Sequence, residues 1–263
     1  MRTSLRTARA DRFRCQRLLQ SALPYRKAEI DRVLVGRRPD GQHDGPTSER
    51  VRIIPLPSIG HSHADRAIRR VLVEVPSSCP FRPEDIAWAF SGLELIDVET
   101  GEAHEIVLTP TDSVSMWRHY GVGEGTETCT WRTVTPVALP DAVGRRRIDP
   151  ARKVGQAKGG AERADEQRGA AGAVVQAMRH VAVRARVEAI RVQREPFEAR
   201  GERVEEFAAG TRFPHRRLWH VEVSFAEPVF GPLVVGDGRF LGLGVMAPIS
   251  TGGGNHTRDG DDL

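Results

Sequence analysis

The residues of this sequence best placed to do chemistry stand in PSIGHSHAD, where His61 and His63 flank Ser62 and Asp65 follows. Successive side chains of an extended segment point to opposite sides, so His61 and His63 share one side and Ser62 takes the other. Histidine titrates near neutrality and serves as either general base or general acid. Gly60 and three arginines, Arg66, Arg69 and Arg70, surround the pair. H-x-H-x-D also offers three metal ligands within five residues, but a metal site needs further ligands and the sequence identifies none. Loop histidines that only hydrogen-bond are the remaining reading.

A second group of residues lies in VVGDGRFLGLGVMAP, residues 234–248, where Gly236, Gly238, Gly242 and Gly244 alternate with Arg239 and apolar side chains. A dinucleotide-binding fingerprint is excluded, because that motif opens a helix inside a βαβ unit and only 15 residues follow Pro248. A phosphate-binding P-loop is excluded too, since GK[ST] is missing. Two readings stay open. The glycines supply positive φ and close packing in a bulged hairpin, or they let backbone N–H groups approach phosphates while Arg239 supplies charge. Arg216 and Arg217 in FPHRR, together with Phe240, extend the second reading, because cations among aromatics serve single-stranded RNA binding.

Charge fits a nucleic-acid partner without proving one. The net charge is +4, and setting aside Lys27, Lys153 and Lys158 leaves 36 arginines among the 39 basic residues. Arginine's planar fork suits phosphate and stacked bases; a GC-rich genome yields the same excess. His220 and Glu222 share one face of LWHVEVSF, a pair able to tune a proton-transfer group or simply to face solvent. The four tryptophans, Trp88, Trp117, Trp131 and Trp219, read as core.

These residues need elements to position them. A chain of 263 residues with 39% hydrophobic content supports one or two modules of roughly 100 to 150 residues. No apolar run is long enough to span a membrane. Cys15, Cys79 and Cys129 are odd in number and never form CxxC, which predicts a reducing cytoplasm. Residues 1–50 read as a basic, loop-rich segment with one basic helix. RRVLVEV alternates like a half-buried strand, PEDIAWAFSGL opens with Pro83, Glu84 and Asp85 as a helix does, and HEIVLT and CTWRTVTPV are strand-like. That β-α-β-β order predicts a first ferredoxin-like module over 51–143. Residues 144–170 read as a linker or mobile loop, with a helix over about 165–182. A second ferredoxin-like module occupies 171–250, with Trp219, Val221, Val223 and Phe225 on one side of its strand. Residues 251–263 read as a disordered tail. The predicted class is thus α+β, two tandem ferredoxin-like (RRM-like) modules with a glycine-rich loop at the end.

The run RRLWHVEVSFAEPVFGPLVVGDGRFLGLGVMAP resembles the CRISPR-associated RAMP superfamily, whose members end in such a glycine-rich loop. It is most similar to the fused subunit of subtype I-U, also called I-G, which joins a repeat-handle-binding module to a repeat-processing module. PLPSIGHSHADRAIRRVLVEVP is similar to the same subunit, so the resemblance covers about residues 50–248. Family members carry a further large module before PLPSIGH, which makes residues 1–50 a remnant of it.

The resemblance implies a prokaryotic cytoplasmic protein of antiviral defence that binds CRISPR repeat RNA and mature CRISPR RNA alongside other subunits of a type I surveillance complex. It implies a metal-independent endoribonuclease that leaves 2′,3′-cyclic phosphate ends and needs no cofactor. One of His61 and His63 then acts as base or acid, the other positions it, and an arginine meets the scissile phosphate. Gly236, Gly238, Gly242, Gly244, Arg239, Arg216 and Arg217 become the RNA contacts. The alternatives are a non-catalytic CRISPR RNA-binding or assembly subunit, and a metal-dependent hydrolase built on HSHAD.

Overall fold

The computed structural model describes residues 15–36, 47–59, 68–91, 94–96, 103–107, 115–140, 160–181, 183–197, 201–208 and 211–249. It is mixed α+β, with every strand pair antiparallel.

The first half is built around a hairpin of β1 (Arg52–Pro57) and β2 (Ile68–Glu74). Alternation along the two strands sends side chains both ways, and both faces are covered. Ile53, Val71 and Val73 pack against helices, while Ile54, Leu56 and Leu72 pack against the second half of the chain. Arg52 and Glu74 face each other at the end of the hairpin and form an ion pair. The covering helices are α1 over 15–22, α2 (Lys27–Ile30), which runs on into a π turn at Asp31–Val35, and α3 (Pro83–Phe90).

Residues 15–35, placed by sequence in a loop-rich segment, are therefore largely helical and part of the core. The spacing explains it: Cys15 and Leu19 are i, i+4, and Ile30, Val33 and Leu34 are i, i+3, i+4, so each helix presents one apolar stripe. Gln16 and Gln20 both donate to the Asp31 carboxylate at 2.5 and 2.6 Å, tying α1 to the π turn. Short strands β3 (Glu94–Ile96) and β4 (Ala103–Val107) form a separate pair, and α4 (Ser115–Arg118) follows.

The second half carries the main sheet. Its strands are β5 (Thr128–Thr133), β6 (Val137–Ala138), β7 (Val187–Gln193), β8 (Leu218–Val229) and β9 (Met246–Pro248). β8 pairs β7 along one edge and β5 along the other, and β9 pairs the far edge of β5. β6 pairs further along β8, at Leu218 and Trp219. The sheet thus runs β9-β5-β8-β7. Its central strand β5 comes from CTWRTVTPV, which precedes residues 144–170, so strands from both sides of that stretch share one sheet.

Helix α5 (Gly160–His180) lies between β5 and β7 in sequence and packs on one face of the sheet. Ala170, Val174, Ala177 and Met178 meet Trp131, Val221, Val223 and Phe225 there. The helix starts ten residues before the end of the predicted linker, because GAERADEQRGA is rich in strong helix formers despite its glycines. A short helix α6 (Val204–Ala208) covers the Leu218 end of β8 through Phe207 and Val204. Among the described residues, no helix is long and apolar enough to cross a membrane.

Candidate nucleic-acid interface

The glycine-rich stretch is a closed loop pressed between the main sheet and the β1–β2 hairpin. Its stem is the bridge Val234↔Val245, reinforced by Val235 N–H donating to the Gly244 carbonyl at 2.9 Å. The link between β5 and β6 grips it from the side. Gly244 N–H donates to Pro136 O and Asp237 N–H to Ala138 O, both at 2.9 Å. Fully buried Thr135 fastens the returning limb, its hydroxyl donating to Gly242 O and accepting from Val245 N–H, each at 3.0 Å.

All four candidate glycines, Gly236, Gly238, Gly242 and Gly244, are buried. At Gly244, φ is +75° and a Cβ would overlap the Val235 carbonyl; at Gly236 a Cβ would lie 2.6 Å from the Ala138 carbonyl. The close packing considered from the sequence accounts for these positions. The loop meets solvent through Asp237 and, half-buried, Arg239 in the 3₁₀ turn Arg239–Leu241.

The candidate arginines divide by commitment. Arg217 donates from Nε to Leu139 O and from Nη2 to Asp237, both at 2.6 Å, which straps the start of β8 to the glycine loop. Arg216, its neighbour in the turn His215–Arg217, is exposed. Arg239 donates to Gly236 O at 3.1 Å and lies against its neighbour Phe240. Burial first, and nearby Arg52 second, pull the Arg239 guanidinium below its usual pKa, against the opposing pull of Asp237. The other side of this turn is Arg50, buried, donating to Val35 O at 2.8 Å and stacked 3.9 Å from the Phe240 ring. Phe240 is therefore an anchor between the two halves.

No family model matches this sequence, and no curated protein or solved structure is a significant match. Its chemistry has to be argued from its own residues.

The face of the sheet away from α5 is polar. Register aligns Arg132 of β5, Glu222 of β8 and Arg191 of β7 in one row. Arg132 donates from Nε and Nη2 to one Glu222 oxygen at 2.9 and 2.5 Å, and Arg191 donates to the other at 3.0 Å. Burial alone would raise the Glu222 pKa, but the hydrogen bonds and charges of the two arginines prevail and hold it below the ordinary carboxylate range. The Phe197 ring centroid lies 5.3 Å from one guanidinium and 5.5 Å from the other. Beside this row, the Thr130 and Ser224 hydroxyls stand 3.4 Å apart.

His220, on the same face, is 1% exposed. Its Nε2 meets the Glu202 carbonyl at 3.0 Å, so that nitrogen carries the proton; Nδ1 faces the Thr133 hydroxyl at 3.4 Å. Thr133 in turn accepts from Val221 N–H at 2.9 Å. The His220–Glu222 pairing suggested by strand alternation does not form a proton-transfer couple here, since the histidine serves the backbone and the carboxylate serves two arginines.

His61 and His63 lie outside the described residues, as do Asp65 and Arg66. Among the described residues, no group of three histidine, cysteine or carboxylate side chains could hold a metal ion. Trp131 and Trp219 are core, as expected, whereas Trp88 on α3 is 57% exposed, on the side of that helix away from Ile86 and Ala89. Sequence reasoning passed over Arg132, Arg191 and Phe197. Alternation in TWRT and AIRVQ could have put both arginines on a polar face, but nothing local reveals that they meet across β8.

Proposed function

We propose that this chain is a CRISPR RNA-binding protein of the RAMP type that cuts repeat RNA and keeps the product within a type I surveillance complex, in a prokaryotic cytoplasm. The observation that carries the RNA-binding part is the sheet order β9-β5-β8-β7 with α5 crossing between β5 and β7. A ferredoxin-like module has a split β-α-β order of this kind, which supports that reading for residues 128–248. A glycine loop seated against the sheet between β8 and β9 and flanked by Arg216, Arg217 and Arg239 agrees with it. The preceding half, with two separate strand pairs, lends the same reading less support.

Cleavage would rest on His61 and His63. One takes the proton from a 2′-OH, whose oxygen attacks the adjacent phosphorus; the departing 5′-oxygen receives a proton, leaving a 2′,3′-cyclic phosphate. An arginine offsets the charge that builds on the phosphorane. A second reading, a non-catalytic RNA-binding or assembly subunit, is favoured by one observation: His220, the one buried histidine among the described residues, is committed to structural hydrogen bonds.

The test is a cleavage assay on labelled repeat RNA in excess EDTA, with wild type, His61→Ala and His63→Ala. A discrete product from wild type that either variant loses supports metal-free processing. Tight binding without cutting assigns the chain to the non-catalytic class. Cutting that appears only when a divalent metal is restored moves the reading to a metal-dependent hydrolase built on HSHAD.

A further inference from the structure

Two guanidiniums from strands on either side of β8 converge on a single carboxylate, and that row is half open to water. Arg191 is 67% exposed, Arg132 28% and Glu222 14%. Two cations on one anion leave a surplus positive charge at the surface of a rigid sheet whose other face is buried under α5. We infer that this row is a second RNA contact, in which Glu222 holds between Arg132 and Arg191 the place that an RNA phosphodiester takes when RNA is bound. The inference rests on the RNA-binding reading above.

The geometry favours exchange at Arg191. Arg132 holds Glu222 through two donors on one oxygen, whereas Arg191 reaches the other oxygen by one hydrogen bond and is mostly in water. With its guanidinium mostly in water and one hydrogen bond to the carboxylate, Arg191 is the weaker-held partner, so a phosphate oxygen can replace the carboxylate there. Phe197 lies within cation–π reach of both guanidiniums, which orients them without using their N–H donors. The Thr130 and Ser224 hydroxyls offer neutral donors one row along the same face, suited to the remaining phosphate oxygen or a ribose hydroxyl. Glu222 then acts as an internal competitor. Its removal should tighten RNA binding, which a merely structural ion pair would not do.

The test is fluorescence anisotropy of labelled single-stranded repeat RNA against full-length protein over a range of salt concentrations. Arg191→Ala should weaken binding roughly two- to fivefold and reduce the salt slope by about 0.7. Glu222→Gln should tighten binding by a similar factor. Arg168→Ala, on the exposed side of α5, should leave both readouts unchanged. If Glu222→Gln lowers the unfolding midpoint, Arg191→Glu replaces it and must weaken binding more than Arg191→Ala does. The inference is overturned when Arg191→Ala matches Arg168→Ala in affinity and slope, or when folded Glu222→Gln binds more weakly. Wild type that binds no RNA overturns the RNA-binding reading as well; wild type that binds while Arg191→Ala is silent overturns this contact alone.

Discussion

Two of the described loops are rich in glycine, and they use it for opposite reasons. In the loop closed by Val234 and Val245 the glycines are buried, and at Gly236 and Gly244 a neighbouring backbone occupies the space a side chain would need. In the turn leading into β5, GEGTE, Gly123 and Gly125 are exposed with φ of +119° and +70°, and no atom lies within 4 Å of a Cβ built at Gly125. The first loop is glycine-rich because two strands and a hairpin close on it; the second because its chain turns left-handed in open water. Glycine density alone does not separate a loop that presents its backbone from one that hides it. The buried loop was the one that drew a phosphate-binding reading from the sequence, whereas the exposed one drew none.

The largest effect should come where the buried loop is tightest. Gly244→Ala places a methyl group on the Val235 carbonyl at a positive φ, and the limb that carries it is pinned by Thr135 and Pro136. The expected loss is at least about 3 kcal/mol in denaturant unfolding, or failure to accumulate as folded protein. A loss well under that would mean the loop is free to open, and the contrast between the two loops would disappear.

Thr135→Ala should come next. It strips a buried Val245 N–H and a buried Gly242 carbonyl of the same hydroxyl, at about 1–3 kcal/mol. Thr135→Ser keeps the hydroxyl and should recover most of that, losing only about 0.8 kcal/mol for the methyl group. Equal losses in the two variants would assign the effect to packing rather than to the hydrogen bonds, sharpening what holds the loop shut.

How much of this was legible beforehand follows the range of each interaction. Strand alternation is local, so LWHVEVSF showed its apolar side correctly, and PEDIAWAF announced α3 by its opening Pro83 and acids. α5 was visible but started later than it does, because glycines within a helix-forming run lowered its apparent limit. Pairing is not local. Thr130 meets Ser224 across 94 residues, and no pattern within CTWRTVTPV shows that it joins the strands beyond residue 160. The same holds for the site. That Arg132 and Arg191 share Glu222, and that Gly236 and Gly244 face carbonyls rather than solvent, are facts about neighbours supplied by the fold.

The smallest effect should lie at the exposed turn, and its size decides whether the contrast is one of degree or of kind. At Gly125 the only obstacle to a side chain is φ, since the surrounding space is empty. Gly125→Ala should therefore cost about 1–2 kcal/mol, the penalty of a left-handed residue with a Cβ. Asparagine tolerates that conformation better through local hydrogen bonding, so Gly125→Asn should cost less than Gly125→Ala. Matched unfolding curves for wild type and both variants check the order. If Gly125→Ala destabilises as much as Gly244→Ala, some neighbour of the turn closes on it in solution. If Gly125→Asn matches wild type, left-handed backbone alone explains the glycine, and the turn stays open to whatever approaches it from outside.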